Sequence, residues 1–215
     1  MNFTTLIQSL PPVSFAVFVA LGMLSVLALT VAVFKTVQFA RIGVGRRALA
    51  DEVLDDWLEG RADDALDKAR ARPTVLTRVL AAVISGLRAR PEETEWGAEL
   101  GRQVAMSELG AMCARMRLLE AVVQGAPMLG LLGTVVGMID AFGALSSGQQ
   151  ADPQSLASGI LTALTTTAAG LAIALLAYFV SGWLESRIEA ERQAMEISIS
   201  AAIHGRPART GPLAG

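Results

Sequence analysis

Residues 126–139 read APMLGLLGTVVGMI and lie within a longer run, Ala121–Ile139, that contains no charged residue. Two other charge-free apolar runs occur, 22 residues from Val13 to Phe34 and 32 residues from Pro153 to Leu184. A helix of about 20 residues crosses the hydrocarbon core of a bilayer. Hydrophobic residues make up 53% of the chain and the mean hydropathy is +0.48. The three runs therefore predict three transmembrane helices.

The first run is interpreted as a retained span rather than a cleaved signal peptide. A signal peptide begins with basic residues, has a shorter apolar core and ends at a small-residue cleavage site. Residues 1–34 contain no basic residue, and the apolar run is followed by Lys35 and Arg41. We therefore expect Val13–Phe34 to stay in the membrane.

The basic residues are confined to two segments. Of the 18 Lys and Arg residues, 14 lie between Lys35 and Arg117 and four lie after Leu184. Because basic segments next to spans are retained in the cytoplasm, both segments are expected on that side. The predicted segments are, in order, a periplasmic N-terminus (1–12), transmembrane helix 1 (13–39), a cytoplasmic helical domain (40–120), transmembrane helix 2 (121–145), a periplasmic loop (146–155), transmembrane helix 3 (156–184), a cytoplasmic helical extension (185–204) and a disordered tail (205–215).

The large loop between the first and second spans has the periodicity of helices. Apolar residues spaced by three and four predict helices over 46–60, 63–71 and 74–88, and acidic residues from Glu92 open a fourth. The fourth has no turn signal before Gly125, so it is expected to run without a break into the second span. The predicted fold class is an all-α membrane protein with a helical cytoplasmic loop and a helical cytoplasmic C-terminal extension.

Composition argues against an enzyme, a metal protein and a nucleic-acid-binding protein. One histidine, His204, and one cysteine, Cys113, cannot build a metal cluster or a catalytic triad, so no cofactor is expected. GLLGTVVG at 130–137 lacks the Gly-Lys-Ser/Thr end of a phosphate loop. The large loop balances 14 basic with 14 acidic residues, which does not form a nucleic-acid stripe. Cys113 is expected to be a small buried residue.

Two long motifs together identify a family resemblance. The 126–139 stretch is followed by Asp152-Pro153, LASGI at 156–160 and ALTTTAAGL at 163–171. These motifs resemble the second and third transmembrane helices of the MotA/TolQ/ExbB family, in particular its TolQ/ExbB branch. The resemblance implies a bacterial inner-membrane ring, a homo-pentamer, around the single transmembrane helices of two copies of an ExbD/TolR-like partner. The partner would carry the proton-binding aspartate, and a TonB/TolA-like or motility-specific protein would take up the work.

Threonines are the candidate site residues. At 100° per residue, Thr162, Thr165 and Thr166 share one helix face, and Thr167 is displaced to one side. Thr134 and Thr166 are each about 9 residues from the outer end of their spans, which predicts a belt at one depth. Without the resemblance, interhelical hydrogen bonds would be the favoured role of these hydroxyls. With it, Thr134 and Thr167 are assigned to the pore lining and proton path, and the other three are further candidates.

Glycines and one proline are expected to set the helix packing. Gly133 and Gly137 form a GxxxG pattern, which allows close approach of helices. Gly130 and Gly170 lie in the two family-like motifs. Pro127 is expected to kink the second span, because proline removes a backbone donor.

This chain departs from the family pattern in one respect. Many TolQ/ExbB relatives have glutamate at the position of Thr162, whereas this sequence has no acid between Asp152 and Glu185. Protons would then have to pass by the partner's aspartate, hydroxyls and water. Asp140, near the outer end of the second span, is a candidate proton entrance, although an interfacial aspartate facing headgroups is the favoured interpretation.

Three classes of function are compared. A proton-driven motor subunit agrees with the resemblance, and a non-conducting scaffold would suit the same small-residue spans and helical loop. An autonomous transporter is disfavoured, because three spans without an internal acid offer neither inverted repeats nor a midplane ionisable site. The load of a motor stays open among nutrient uptake, envelope constriction and gliding. The first span, rich in large apolar residues, is expected to face lipid while the other two line the pore.

Overall fold

The computed structural model describes residues 12–146 and 153–206. Within these ranges the chain forms seven α-helices and no strand. The predicted N-terminal segment, most of the predicted periplasmic loop and the tail after Arg206 lie outside the described residues. The helices are α1 (Pro12–Ile42), α2 (Arg47–Leu58), α3 (Ala62–Ala71), α4 (Val75–Ala89), α5 (Thr94–Cys113), α6 (Met116–Ser146) and α7 (Pro153–His204).

Three of these helices, α1, α6 and α7, are long and apolar enough to cross a membrane. They contain 31, 31 and 52 residues, which correspond to about 46, 46 and 78 Å. Each exceeds the thickness of a bilayer core, about 30 Å. The predicted all-α membrane fold with three spans is therefore confirmed. Helix α7 itself runs from Pro153 to His204.

The chain divides into two compact units. The apolar unit comprises α1 up to Phe34 and the described residues of the stretch Arg115–Trp183. That stretch contains α6 and the first part of α7. Its core joins the three helices through small and medium side chains: Val17, Leu21, Val122, Ala126, Ala174 and Ala177. Large apolar side chains lie exposed on all three helices, as expected of helices that face lipid or other membrane helices.

The charged unit comprises Lys35–Ala114 and α7 from Leu184 onward. Helix α4 is buried along much of its length and begins with a capping box, in which Thr74 and Thr77 exchange side-chain and backbone hydrogen bonds. The end of α7 is held on α2, because the Trp57 indole donates to the Ala202 carbonyl at 2.8 Å. Arg206 also pairs with Asp51.

The predicted helices of this unit agree with the observed ones to within two residues, but the predicted continuous fourth helix is wrong. Helix α5 ends at Cys113 and α6 begins at Met116. Between them, Arg115 adopts a left-handed conformation with φ of 67°. The guanidinium of Arg115 lies over the ring of Phe34, 4.6 Å from its centroid. A contact far away in sequence thus accompanies a break that local helix propensity does not predict. Cys113, predicted to be buried, is exposed at this break.

Candidate functional site

Helices α6 and α7 of the apolar unit approach each other closely along a line of glycines. A Cβ atom added at Gly130 would lie 2.9 Å from the Thr166 carbonyl oxygen, and one at Gly137 would lie 2.9 Å from the Ala163 Cβ. One added at Gly170 would collide with the Ala126 carbonyl. The glycines named from the sequence lie along this line of close approach. The α6–α7 seam is defined here by Gly130, Gly133, Gly137, Ala163, Thr166, Thr167 and Gly170.

Three threonine hydroxyls converge inside this seam. Thr134, Thr166 and Thr167 each lie within hydrogen-bond distance of the Gly130 carbonyl oxygen, at 3.1, 3.2 and 3.0 Å. The Thr134 and Thr167 hydroxyls also contact each other directly. Residues from two helices and 33 positions apart thus form one hydroxyl cluster, which we define as Thr134, Thr166 and Thr167.

The hydroxyl cluster has enough acceptors within the chain for its three protons. Besides Gly130, the carbonyl of Ala163 accepts from Thr166 at 2.7 Å and lies 3.2 Å from the Thr134 hydroxyl. Each of these carbonyls also accepts a backbone N–H within its helix, which leaves one lone pair on each for a hydroxyl. The third proton can be donated between the hydroxyls of Thr134 and Thr167. Several alternative pairings are available, and a proton of one hydroxyl can be exchanged between acceptors by rotation about a single bond.

The threonines of the predicted helix face have different surroundings in the described chain. Thr166 is fully buried against α6, as expected of a seam residue, but Thr165 on the predicted shared face is exposed. Thr167, predicted to be displaced, contacts α6. The seam follows Ala163, Thr166, Thr167 and Gly170, which is the i, i+3, i+4, i+7 spacing of a helix contact. The rotation of α7 is set by the close approach at Gly130 and Gly170.

The two remaining threonines make only local hydrogen bonds in the described chain. Thr162 donates to the Ser158 carbonyl at 2.9 Å, and Thr165 donates to the Leu161 carbonyl at 2.8 Å. Both are bonds to the preceding helical turn, common for threonine in helices. The structure therefore does not bring Thr162 and Thr165 into the hydroxyl cluster.

The other predicted site residues lie elsewhere on α6. Asp140 is exposed, two turns beyond Thr134 toward the end of the helix. Pro127 lies inside α6, where it removes the hydrogen bond that its nitrogen would have donated to the Val123 carbonyl.

Lys35, in the charged unit, is a buried residue that the sequence interpretation missed. Its side chain is fully buried, and its ammonium donates to the Met112 carbonyl at 2.7 Å and to Gln38 Oε1 at 3.1 Å. Met112 is in the last turn of α5, where carbonyls have no partner further along the helix. Lys35 therefore caps α5 at the break before α6. In the sequence, the feature that pointed to this burial was the position of Lys35 directly after the apolar run Val13–Phe34.

The sequence profile of the MotA/TolQ/ExbB proton channel family matches residues 70–197. An ExbB-like biopolymer transport protein of Synechocystis sp. is 36% identical over 166 residues, which cover 74% of this chain and 62% of that protein. The Tol-Pal system protein TolQ of Haemophilus influenzae is 38% identical over 104 residues, which cover 48% of this chain and 46% of that protein. The biopolymer transport protein ExbB of Neisseria meningitidis serogroup B is 26% identical over 195 residues, covering 86% and 87% of the two chains.

The matched part of the chain thus spans less than two thirds of the length of the first two of these relatives. The profile match nevertheless covers more than half of this chain and includes the whole α6–α7 seam. Together with the three apolar helices, it confirms the resemblance inferred from the motifs in 126–139 and 152–171. The chain is a multi-pass membrane protein that belongs to the MotA/TolQ/ExbB proton channel family.

Proposed function

We propose that this chain is the ring-forming subunit of a motor of the ExbB/TolQ type, driven by the proton-motive force in the bacterial inner membrane. In this proposal a homo-pentamer surrounds the transmembrane helices of two copies of an ExbD/TolR-like protein. Proton flow through the ring is coupled to mechanical work on the cell envelope through a TonB/TolA-like or motility-specific protein. The chain is a channel subunit and not an enzyme.

The observation that carries the proposal is the hydroxyl cluster in the α6–α7 seam. Thr134 and Thr167 contact each other and share the Gly130 carbonyl, so one can pass a proton while the other accepts it. The sequence has no acid in the third run, so a carboxylate from the partner would supply the charge-changing group. The passage of one charge down 100 mV releases about 2.3 kcal/mol, so several protons are enough for a conformational step.

The exposed surface of the apolar unit supports assembly into a ring. Large apolar side chains such as Leu131, Leu164 and Leu171 on α6 and α7 are more than half exposed in the single chain. In the proposed ring, neighbouring subunits and the partner cover this surface on α6 and α7, and lipid covers α1. Thr162 and Thr165 then lie near the pore without belonging to the hydroxyl cluster, and Asp140 lies near the outer entrance.

The proposed orientation has the N-terminus in the periplasm and the C-terminus in the cytoplasm. Its support is the confinement of all 18 basic residues to two segments on one side of the spans. Reporter fusions at Asn2 and Gly215 test this arrangement. A cytoplasmic signal from Asn2 or a periplasmic one from Gly215 would reject it.

A double variant, Thr134→Val with Thr167→Val, tests the proton path. Valine is nearly isosteric with threonine but lacks the hydroxyl, so we expect assembly to persist and proton-driven activity to be lost. The measurements are the yield of complex with the partner and proton flux into vesicles that contain it. Thr30→Val is the matched control, because Thr30 is exposed on α1 and donates to the Val26 carbonyl of its own helix.

The second candidate function is a non-conducting scaffold that organises a partner complex. It is favoured by one observation, that every hydroxyl of the cluster has an acceptor within the chain. In a scaffold these bonds only join helices, and the double variant would lose about 1–3 kcal/mol of packing or remain nearly neutral. Normal flux through an intact Thr134→Val, Thr167→Val ring would reject the proton-path proposal.

A further inference from the structure

Glu191 is a buried acid of the charged unit that has no role in the proposed proton path. It lies on the second part of α7 and is only 2% exposed. One carboxylate oxygen, Oε2, accepts a hydrogen bond from the Gly45 N–H at 3.1 Å. The other, Oε1, is buried and has no hydrogen-bond partner among the described residues. Burying an ionised oxygen without a partner is costly, whereas a protonated carboxyl is tolerated more readily.

Gly45, whose N–H donates to Glu191, lies in the turn between α1 and α2. Gly45 has φ of 84° and Gly43 has φ of 74°, both in the left-handed region where glycine is preferred. Gly43 lies close to Thr74, the N-cap of α4, since an added Cβ would be 2.9 Å from Thr74 Cγ2. This turn therefore contacts the beginning of α4 at Gly43 and α7 at Gly45.

Two basic groups act on the Glu191 carboxyl. Arg47, at the start of α2, donates to the Ala190 carbonyl at 3.5 Å, and Arg187 lies one turn before Glu191 on α7. Their charges and the Gly45 N–H favour the ionised form. Burial is the larger effect and raises the pKa of Glu191 above its ordinary value.

We propose that Glu191 is a proton-binding site outside the hydroxyl cluster, and that its proton occupancy controls how firmly the α1–α2 turn is held on α7. When the turn opens, water reaches the carboxyl and its pKa falls toward that of a free glutamate. Protonation therefore favours the closed turn, and a rise in pH through the titration of Glu191 favours the open one. Over that range the ratio of closed to open turn falls by up to about tenfold per pH unit.

Hydrogen exchange of the full chain in lipid nanodiscs, followed by mass spectrometry, tests this proposal. The readout is the protection of peptides that contain Gly45, corrected for the intrinsic pH dependence of exchange, from about pH 5 to about pH 8. We expect the protection to fall as pH rises in the natural sequence. In Glu191→Gln, which keeps an acceptor but cannot ionise, we expect it to stay constant.

Glu196→Gln is the matched control, because Glu196 is on the same helix but exposed and paired with Arg192. It should respond to pH as the natural sequence does. Protection of Gly45 that is independent of pH in the natural sequence, or equally dependent in Glu191→Gln, would overturn the proposal.

Arg47→Gln keeps the carboxyl and tests the same site if Glu191→Gln does not fold. Removing the positive charge should move the midpoint of the exchange transition to higher pH. A midpoint that stays in place or moves to lower pH would contradict the proposal. The readout does not depend on proton flux, so its failure and the failure of the proton-path proposal can be told apart.

Discussion

The apolar unit and the charged unit both bring helices together at glycines, but different chemistry surrounds the two contacts. In the apolar unit, Gly130 and Gly170 face backbone carbonyls, and Gly133 faces the Thr166 hydroxyl. In the charged unit, Gly97 and Gly101 face the side chains of Leu87 and Val83. Lipid is as apolar as leucine, so helices in a membrane associate by close packing and interhelical hydrogen bonds. In water, the burial of large apolar side chains supplies the driving force.

The largest effect that this comparison predicts is for Leu80→Ala in the charged unit. Leu80 is fully buried on α4, and removal of a buried leucine side chain costs about 2–5 kcal/mol. We expect the opening free energy of α4, measured by hydrogen exchange, to fall by about that amount. Leu58→Ala is the control, because Leu58 on α2 is 42% exposed. Equal losses from the two variants would show that burial of aliphatic side chains does not dominate in this unit.

The second prediction concerns close approach in the apolar unit. Gly170→Ala adds a methyl group against the Ala126 carbonyl, and overpacking of this kind costs about 1–3 kcal/mol. We expect a lower melting temperature of the chain purified in detergent.

The same substitution at Gly182 is its control. Gly182 lies on the same helix and an added Cβ there meets nothing within 4 Å. Alanine has a higher helix propensity by about 0.8–1.0 kcal/mol, so Gly182→Ala should be neutral or slightly stabilising. A Gly170→Ala variant as stable as Gly182→Ala would mean that the seam relaxes easily.

The third prediction is a pH dependence confined to the charged unit. Asp56 is buried on α2, where an ion pair with Lys68 and a hydrogen bond from Arg61 lower the pKa of its carboxyl. A lowered pKa means that the fold favours the ionised form. Its stabilising contribution is therefore complete above the unfolded pKa of 3.8 and is lost as pH falls below that value, through the folded pKa.

Asp56→Asn should remove this pH dependence and lower the stability at neutral pH, as measured by thermal unfolding at several pH values. Asp63→Asn is the control, since Asp63 is exposed and pairs only across the surface with Arg88. If Asp56→Asn and the natural sequence lose stability in parallel on acidification, Asp56 does not contribute as described.

The sequence predicted the apolar helices and the family well, because charge-free runs and long motifs are local properties of the chain. It also singled out Thr134 and Thr167, whose hydroxyls are in contact, while their role in a proton path stays a prediction. It did not predict that Thr167 rather than Thr165 faces α6, because that depends on the rotation of α7, which is set by contacts at Gly130 and Gly170. Periodicity defines a face of a helix but not the direction in which that face points.

Features that depend on contacts far apart in sequence were missed. The burial of Lys35 follows from the position of the end of α5, 77 residues away from it. The burial of Glu191 follows from the α1–α2 turn, 146 residues before it. Residues 113–116, Cys-Ala-Arg-Met, contain neither glycine nor proline, so the sequence there carries no conventional helix-breaking signal.

The smallest effect is expected at this break, where the chain passes from the charged unit to the apolar unit. The left-handed conformation of Arg115 costs a residue with a side chain about 1–2 kcal/mol, whereas glycine adopts it freely. The Arg115 guanidinium also stacks on Phe34, a contact worth about 0.5–1 kcal/mol at an exposed site.

Arg115→Ala loses the contact with Phe34 and keeps the backbone strain, while Arg115→Gly loses both. We therefore expect Arg115→Gly to be more stable than Arg115→Ala by about 1 kcal/mol and close to the natural sequence, as measured by melting temperature in detergent. If Arg115→Ala is the more stable of the two, the chain joins α5 to α6 as a continuous helix, and the boundary between the two units is not fixed at Arg115.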